Sequence, residues 1–232
     1  MRKVLLVLLI LVIGGVVAAD RIGVRIAQDQ IGQQVQAQYN LLQQPDVKIH
    51  GFPFLTQSIG GEYDRIDVAI GNWTQDDVRV SDVRIELRGV QAPLSDIAAG
   101  NAEGVTVRTA TASAVVPYSL IKARAPKEVK DLRPKGDNLE VDLTGAIMGF
   151  PVGGTAELSV KPTGKGLSIT PVSVGSGGVR IPLNLLQQQL TWNVPVTELP
   201  VGSRISQVQP TPDGLRIGAT ADNVQLSKLS QS

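Results

Sequence analysis

Strict alternation of apolar and polar residues limits this chain more than any other feature. Ile66, Val68 and Ile70 alternate with Arg65, Asp67 and Ala69, and Val83, Ile85 and Leu87 alternate with Arg84, Glu86 and Arg88. The same period returns at Leu139, Val141 and Leu143, at Ala156, Leu158 and Val160, and at Leu215, Ile217 and Ala219. Successive side chains of a strand point to opposite faces. Each stretch therefore predicts a strand with one wet and one apolar face, as in antiparallel sheets.

Several stretches change phase. Val78 and Val80 give way to Val83, Ile85 and Leu87; Val105 and Val107 to Ala110, Ala112, Ala114 and Val116; Leu167 and Ile169 to Val172 and Val174, with Pro171 between. A slip of one residue carries every later side chain to the other face, so each change predicts a bulge or a bend. Residues 20–44 supply a helix. Val24, Ala27, Ile31, Val35 and Leu42 recur near a period of 3.6, with a Gln-rich opposite side and Pro45 at the end. Short helices opened by proline are predicted at 93–100, 117–125 and 182–190, and hairpin turns at 161–164 and 212–214. Together these predict an α+β fold: a long curved antiparallel sheet wrapped around an N-terminal amphipathic helix, with residues 20–232 as one domain. Gly-Phe-Pro occurs at residues 51–53 and 149–151, which hints at two related halves.

The first nineteen residues carry an address. Arg2 and Lys3 precede sixteen uncharged residues, 4–19, mostly Val, Leu and Ile, and Asp20 and Arg21 end the run. A basic start before an apolar stretch is how a chain enters a membrane or the secretory pathway. At about 1.5 Å per residue, sixteen helical residues reach ~24 Å, short of a hydrocarbon core of ~30 Å. Val17, Ala18 and Ala19 offer small residues to a signal peptidase, while Ile22, Val24 and Ile26 would extend an anchored helix. Cleavage and anchoring both fit residues 1–19. Either places the remainder outside the cytoplasm, on the outer face of the cytoplasmic membrane or in the cell envelope, because positive charge stays inside.

The sequence has no cysteine, which excludes disulfides, a lipid-modified cysteine and thiolate chemistry. A net charge of +1 argues against nucleic acid as a partner. Aromatic residues make up 3%, so the interior is built from Val, Ile, Leu and Ala. Catalytic patterns are missing: no HExxH, GxSxG, Walker A or GxGxxG is present. The single histidine, His50, sits in a predicted strand and reads as structural. The Asp76-Asp77 pair and the stretch 175–178 read as loops, and neither a cofactor nor a metal site is expected.

What remains is apolar surface in unusual places. Phe52, Phe54, Leu55 and Ile59 crowd a segment bounded by Gly51, Pro53 and Gly60-Gly61. Leu183, Leu186, Leu190 and Trp192 offer a second apolar wall, with an indole N–H free to bond a headgroup or water. Both segments are expected to border one lipid-binding groove.

Three stretches resemble the actinobacterial LmeA-like phospholipid-binding family. They are Ala18-Ala19-Asp20-Arg21, the run 49–57 with Gly60-Gly61, and the run 190–200 with 211–215 further on. The Gly-Phe-Pro-Phe-Leu-Thr-Gln segment is the most specific, and residues 95–135 are generic. The resemblance implies an envelope protein that binds phospholipid, including phosphatidylinositol-type lipids, and a role in mannan-lipid metabolism in mycobacteria. It also implies a shape similar to the tubular lipid-binding proteins, whose curved sheet wraps a long helix around an acyl-chain groove.

The residues agree with that expectation. Each buried CH₂ gains ~0.8 kcal/mol, so a sixteen-carbon chain gains roughly 13 kcal/mol before entropy and the loss of its former apolar surroundings. The leading expectation is therefore non-enzymatic phospholipid binding, with transfer as its extension. The alternatives are a structural envelope protein with a closed core and, third, an enzyme acting on lipid or glycan.

Overall fold

The computed structural model describes residues 2–75, 78–99, 104–147, 150–164, 166–174, 182–196 and 202–225. Two antiparallel sheets and an N-terminal helix make up an α+β fold, one sheet being strongly curled. Helix α1 runs unbroken from Arg2–Gln38, so the apolar run and the amphipathic helix are one element. It stops at Gln38, before Pro45, where Asn40 turns the chain with φ 52°.

The first sheet has the order β1-β2-β3-β4-β11-β10. Its strands are β1 (Asp46–His50), β2 (Glu62–Gln75), β3 (Val78–Gln91), β4 (Thr106–Val116), β10 (Ser203–Thr211) and β11 (Gly214–Gln225). The second sheet is the meander β5 (Val129–Lys135), β6 (Asn138–Ile147), β7 (Phe150–Thr163), β8 (Gly166–Val174) and β9 (Trp192–Pro195). The remaining helices are short: α2 (Phe54–Gly60), α3 (Leu94–Ala99), α4 (Tyr118–Lys122) and α5 (Leu183–Leu190). All alternating stretches are strands, and the three proline-opened helices form where the sequence puts them. The strands divide between two sheets.

Two compact units result. One comprises residues 1–71, 84–111 and 221–232, the other residues 72–83 and 112–220. In the first, Val24, Ala27 and Ile31 of α1 bury against Val47, Ile49, Ile66 and Val68 of β1 and β2. These positions recur along one stripe of the helix, and each such aliphatic side chain contributes about 1.5–3 kcal/mol on burial. The second unit centres on Leu139, Val141, Leu158, Leu167 and Ile169, all fully buried, with α5 packed over β8.

The phase changes have local causes. In β3 the shift falls at Asp82, whose φ of 49° lies in the left-handed region and turns the strand. Its carboxylate accepts a hydrogen bond from the Arg216 guanidinium. In β8 the pairing with β7 skips from Ser173 to Pro171, opposite Glu157 and Leu158. Pro171 has no N–H to give the ladder, so a bulge there costs little. In β4 the expected second phase is not kept, because Ala112 is exposed while Val115 is buried.

Turn chemistry closes the hairpins. Pro212 and Asp213 join β10 to β11, and Thr211 Oγ1 donates to the Gly214 carbonyl at 2.8 Å. Lys135 pairs with Asn138 across Gly136-Asp137, and Gly136 at φ 61° takes the first central position, where a type II′ turn needs positive φ. The two Gly-Phe-Pro runs are not equivalent. Residues 52–53 precede a helix, whereas Phe150 and Pro151 lie in β7. Gly149, the Asp76-Asp77 pair, the stretch 175–178 and residues 197–200 lie outside the described residues.

Candidate functional site

Within the first unit, a set of side-chain contacts joins α1 to α2. Asp20 is 1% exposed although it is charged. Its Oδ1 accepts the Leu55 backbone N–H at 2.9 Å, and its Oδ2 accepts from the Arg21 guanidinium at 3.1 Å. The first N–H groups of a helix have no partner within it. Pro53 precedes α2 without a capping side chain of its own, so Asp20 supplies the missing acceptor from α1. A carboxylate there also complements the positive end of the helix. Arg21 in turn lies over the Phe52 ring, 4.8 Å from its centroid.

Glycine shapes the approach. A Cβ on Gly23 would stand 3.6 Å from the Phe54 ring and 3.7 Å from Leu55, so the α1 backbone itself forms the seat for α2. Gly51, at φ 105°, leaves no room for a side chain against the Gln57 amide. Gln57 Oε1 accepts the Asp64 N–H at 3.1 Å, and Gly61, at φ 67°, ends α2 in the left-handed conformation. The Phe52-Pro53 peptide is cis.

The four apolar residues of this segment separate by exposure. Phe54 is 2% exposed and packs on Tyr63 with ring centroids 6.4 Å apart. Phe52 is 61% exposed, Leu55 37% and Ile59 88%. Phe54 is thus core, while the other three face outward. Leu55 and Ile59 are four apart on a helix and share its outer face.

The second segment belongs to the second unit and to its separate core. Leu186, Leu190 and Trp192 are buried there with Leu167 and Ile169, and Leu183 is half-buried. Gln187 Nε2 donates to the Pro171 carbonyl at 2.9 Å, tying α5 to the bulge in β8. Trp192 opens β9 opposite Ile169.

Among the described residues, two donors inside these cores have no hydrogen-bond partner, the Tyr63 hydroxyl and the Trp192 indole Nε1. Burial pushes the Tyr63 phenol up from its ordinary range. Leaving a buried donor unpaired costs about 1–3 kcal/mol.

His50 is held, as its strand position suggests, in a cross-strand cluster. Its Nε2 lies 2.8 Å from Asp67 Oδ2 and its Nδ1 3.0 Å from the Arg65 guanidinium. Among the described residues, no group of three His, Asp or Glu side chains is placed to hold a metal ion. A groove of about 310 Å³ is lined by Gly89, Gln91, Thr106, Val107, Arg108, Asn223 and Gln225, all within the first unit. Its lining is divided about evenly between polar and apolar surface.

The model of the LmeA-like phospholipid-binding family matches residues 18–220. The chain belongs to that family. The stretch this LmeA-like chain shares with the family begins two residues before Asp20, so it takes in the whole α1–α2 junction and α5. The exposed apolar residues Leu6 to Val17 lie outside it. Neither the curated proteins nor the solved structures contain a significant match.

Sequence reasoning missed three participants. Asp20 reads as the end of an apolar run, yet it is the most buried charge among the described residues. Gly23 looks like one weak helix former among others. Gln28 looks solvated, but its Oε1 accepts the Ile49 N–H of β1 at 3.1 Å. The available signal was the pair of boundaries around residues 54–60, with Pro53 before and Gly61 after, which marks a short helix in need of an outside cap.

Proposed function

We propose that this chain binds phospholipid, without catalysing a reaction, on the outer face of the cytoplasmic membrane. The observation that carries the reading is the family match over residues 18–220, a family of phospholipid-binding proteins. The helix Leu6–Gln38 supports the location, being long and apolar enough to cross a membrane. A signal sequence would have the same composition, and the binding reading holds in either case.

Acyl chains are assigned to the apolar interior of the second unit, entered past the half-buried Leu183 and bordered by Leu186, Leu190 and Trp192. The unpaired Trp192 Nε1 supports this, because a lipid ester or phosphate oxygen would accept its hydrogen bond. Phe54 and Tyr63 give the first unit a similar pairing of apolar wall and unpaired donor. The lipid headgroup assigned is that of a phospholipid, with phosphatidylinositol-type lipids as the first to test. Transfer between membranes is the extension of the same binding.

The test is phospholipid pick-up from vesicles carrying a fluorescent lipid. The wild-type chain takes up lipid, Leu183→Asp takes up less by placing an unpaired charge where acyl chains lie, and circular dichroism of the two agrees. A folded Leu183→Asp variant that takes up lipid as well as wild type would remove this wall from the site. A second reading is a structural envelope protein with closed cores. The near-complete burial of Phe54, Leu186 and Leu190 favours it. That reading predicts no pick-up by the wild-type chain.

A further inference from the structure

Asp20 fixes α2 to the turn of α1 at which the apolar run ends. The side chains of Leu6 to Leu11 and of Val12, Ile13, Val16 and Val17 are 39–70% exposed, so this half of α1 is apolar on every side and left open by the described residues. It belongs to a helix suited by length and composition to crossing a membrane. The contacts of Asp20 with the Leu55 N–H, of Arg21 with the Phe52 ring and of Gly23 with Phe54 then set the level of α2. That level is the end of the apolar run, where a membrane-crossing α1 leaves the hydrocarbon.

At this level the surface is apolar and exposed. Phe52 and Ile59 are 61% and 88% exposed, with Leu55 between them. Exposed aromatic and aliphatic side chains that join no core mark a surface meant for something apolar. Arg21 is exposed over the Phe52 ring, and Arg25, one turn further along α1, is exposed as well. A guanidinium with an apolar stem suits the boundary between acyl chains and phosphates, and stacking over Phe52 holds Arg21 against the apolar patch.

We infer that residues 51–60 form an interfacial foot, in which Phe52, Leu55 and Ile59 enter the surface of the bilayer that α1 crosses while Arg21 and Arg25 meet its phosphates. The occupant is a phospholipid bilayer surface, and the burial of Asp20 is the strut that holds the foot at that depth. This inference rests on the membrane-side phospholipid reading, and it goes further by separating docking residues from those assigned to hold a bound chain.

Leu42 provides an internal control. It is 96% exposed and just as apolar, but it follows Leu41, whose N–H bonds the carbonyl of Gln36, sixteen residues along α1 from Asp20. Sixteen helical residues rise about 24 Å, so a label at position 42 stays in water.

The native chain has no cysteine, so single-cysteine variants of the full chain report one position each. Phe52→Cys, Ile59→Cys and Leu42→Cys are labelled with an environment-sensitive fluorophore and reconstituted into phosphatidylcholine–phosphatidylglycerol vesicles. Labels at 52 and 59 are expected to shift to the blue, to lose intensity to nitroxide-bearing lipid and to resist aqueous iodide. The label at 42 should be quenched by iodide alone. Labels at 52 and 59 that behave like the label at 42 would overturn the foot. Lipid pick-up by the same preparations separates the two ideas. Wet labels with normal pick-up sink the foot and leave the binding reading intact. Wet labels with no pick-up sink both.

Discussion

Asp20, Phe54 and Trp192 each concentrate one claim at the scale of single residues. Asp20 accepts a backbone N–H that has no other acceptor within α2. Asp20→Ala should therefore lower stability by about 1–3 kcal/mol in denaturant titrations, and Asp20→Asn, which retains an acceptor, by less. Phe54 is core, so Phe54→Ala should cost about 3–5 kcal/mol, and a charged residue there tests folding before it tests lipid. Ile59→Ser, at a surface position, should leave stability within about 0.5 kcal/mol of wild type. Trp192→Phe keeps the ring and deletes the unpaired N–H. The lipid-free protein should be as stable as wild type or slightly more so, while retention of bound lipid should fall. Unchanged retention would detach the indole from any headgroup role.

Elements show how far the sequence could be read. The alternating stretches became strands because one wet and one apolar face leaves a strand little choice. The Pro171 bulge was legible for the same reason, since a proline between two phases marks where the ladder breaks. The continuity of α1 was legible only as one of two readings, through Ile22, Val24 and Ile26. A charge pair at Asp20-Arg21 reads as an end, and only the contacts with Leu55 and Phe52 make it a junction. Residues 52–59 looked like one apolar set because α2 is too short for a 3.6-residue period to emerge, so the inward Phe54 could not be told from the outward Leu55 and Ile59. The division of the strands between two sheets depends on long-range pairing, which local alternation does not encode.

The wet face of the second sheet makes an element-scale prediction about pH. Arg133 grips Asp142 with two hydrogen bonds of 2.8 Å and also reaches Glu140, while Lys135 bonds Glu140 at 3.0 Å. The Lys135 ammonium, with the Arg133 guanidinium, holds the Glu140 carboxyl below its ordinary range, and Arg133 does the same for Asp142. Groups depressed in the folded state stabilise it above the ordinary carboxylate range, and that contribution is lost as pH falls through the depressed folded values. All partners are solvent-facing, so the effect is small and weakens with salt. Melting temperature should fall on acidification through that window, and Arg133→Gln should flatten the fall.

For the whole molecule, the family membership and the apolar half of α1 point the same way, toward a protein that works against lipid. The central claim is that the chain holds a phospholipid, and native mass spectrometry of the full chain tests it most directly. The protein is purified from its host in mild detergent and then exposed to phospholipid vesicles. The account predicts a population carrying the mass of phospholipid in defined stoichiometry, lost on delipidation and restored by the vesicles. A spectrum showing only the bare chain, both as purified and after vesicles are added, would contradict it.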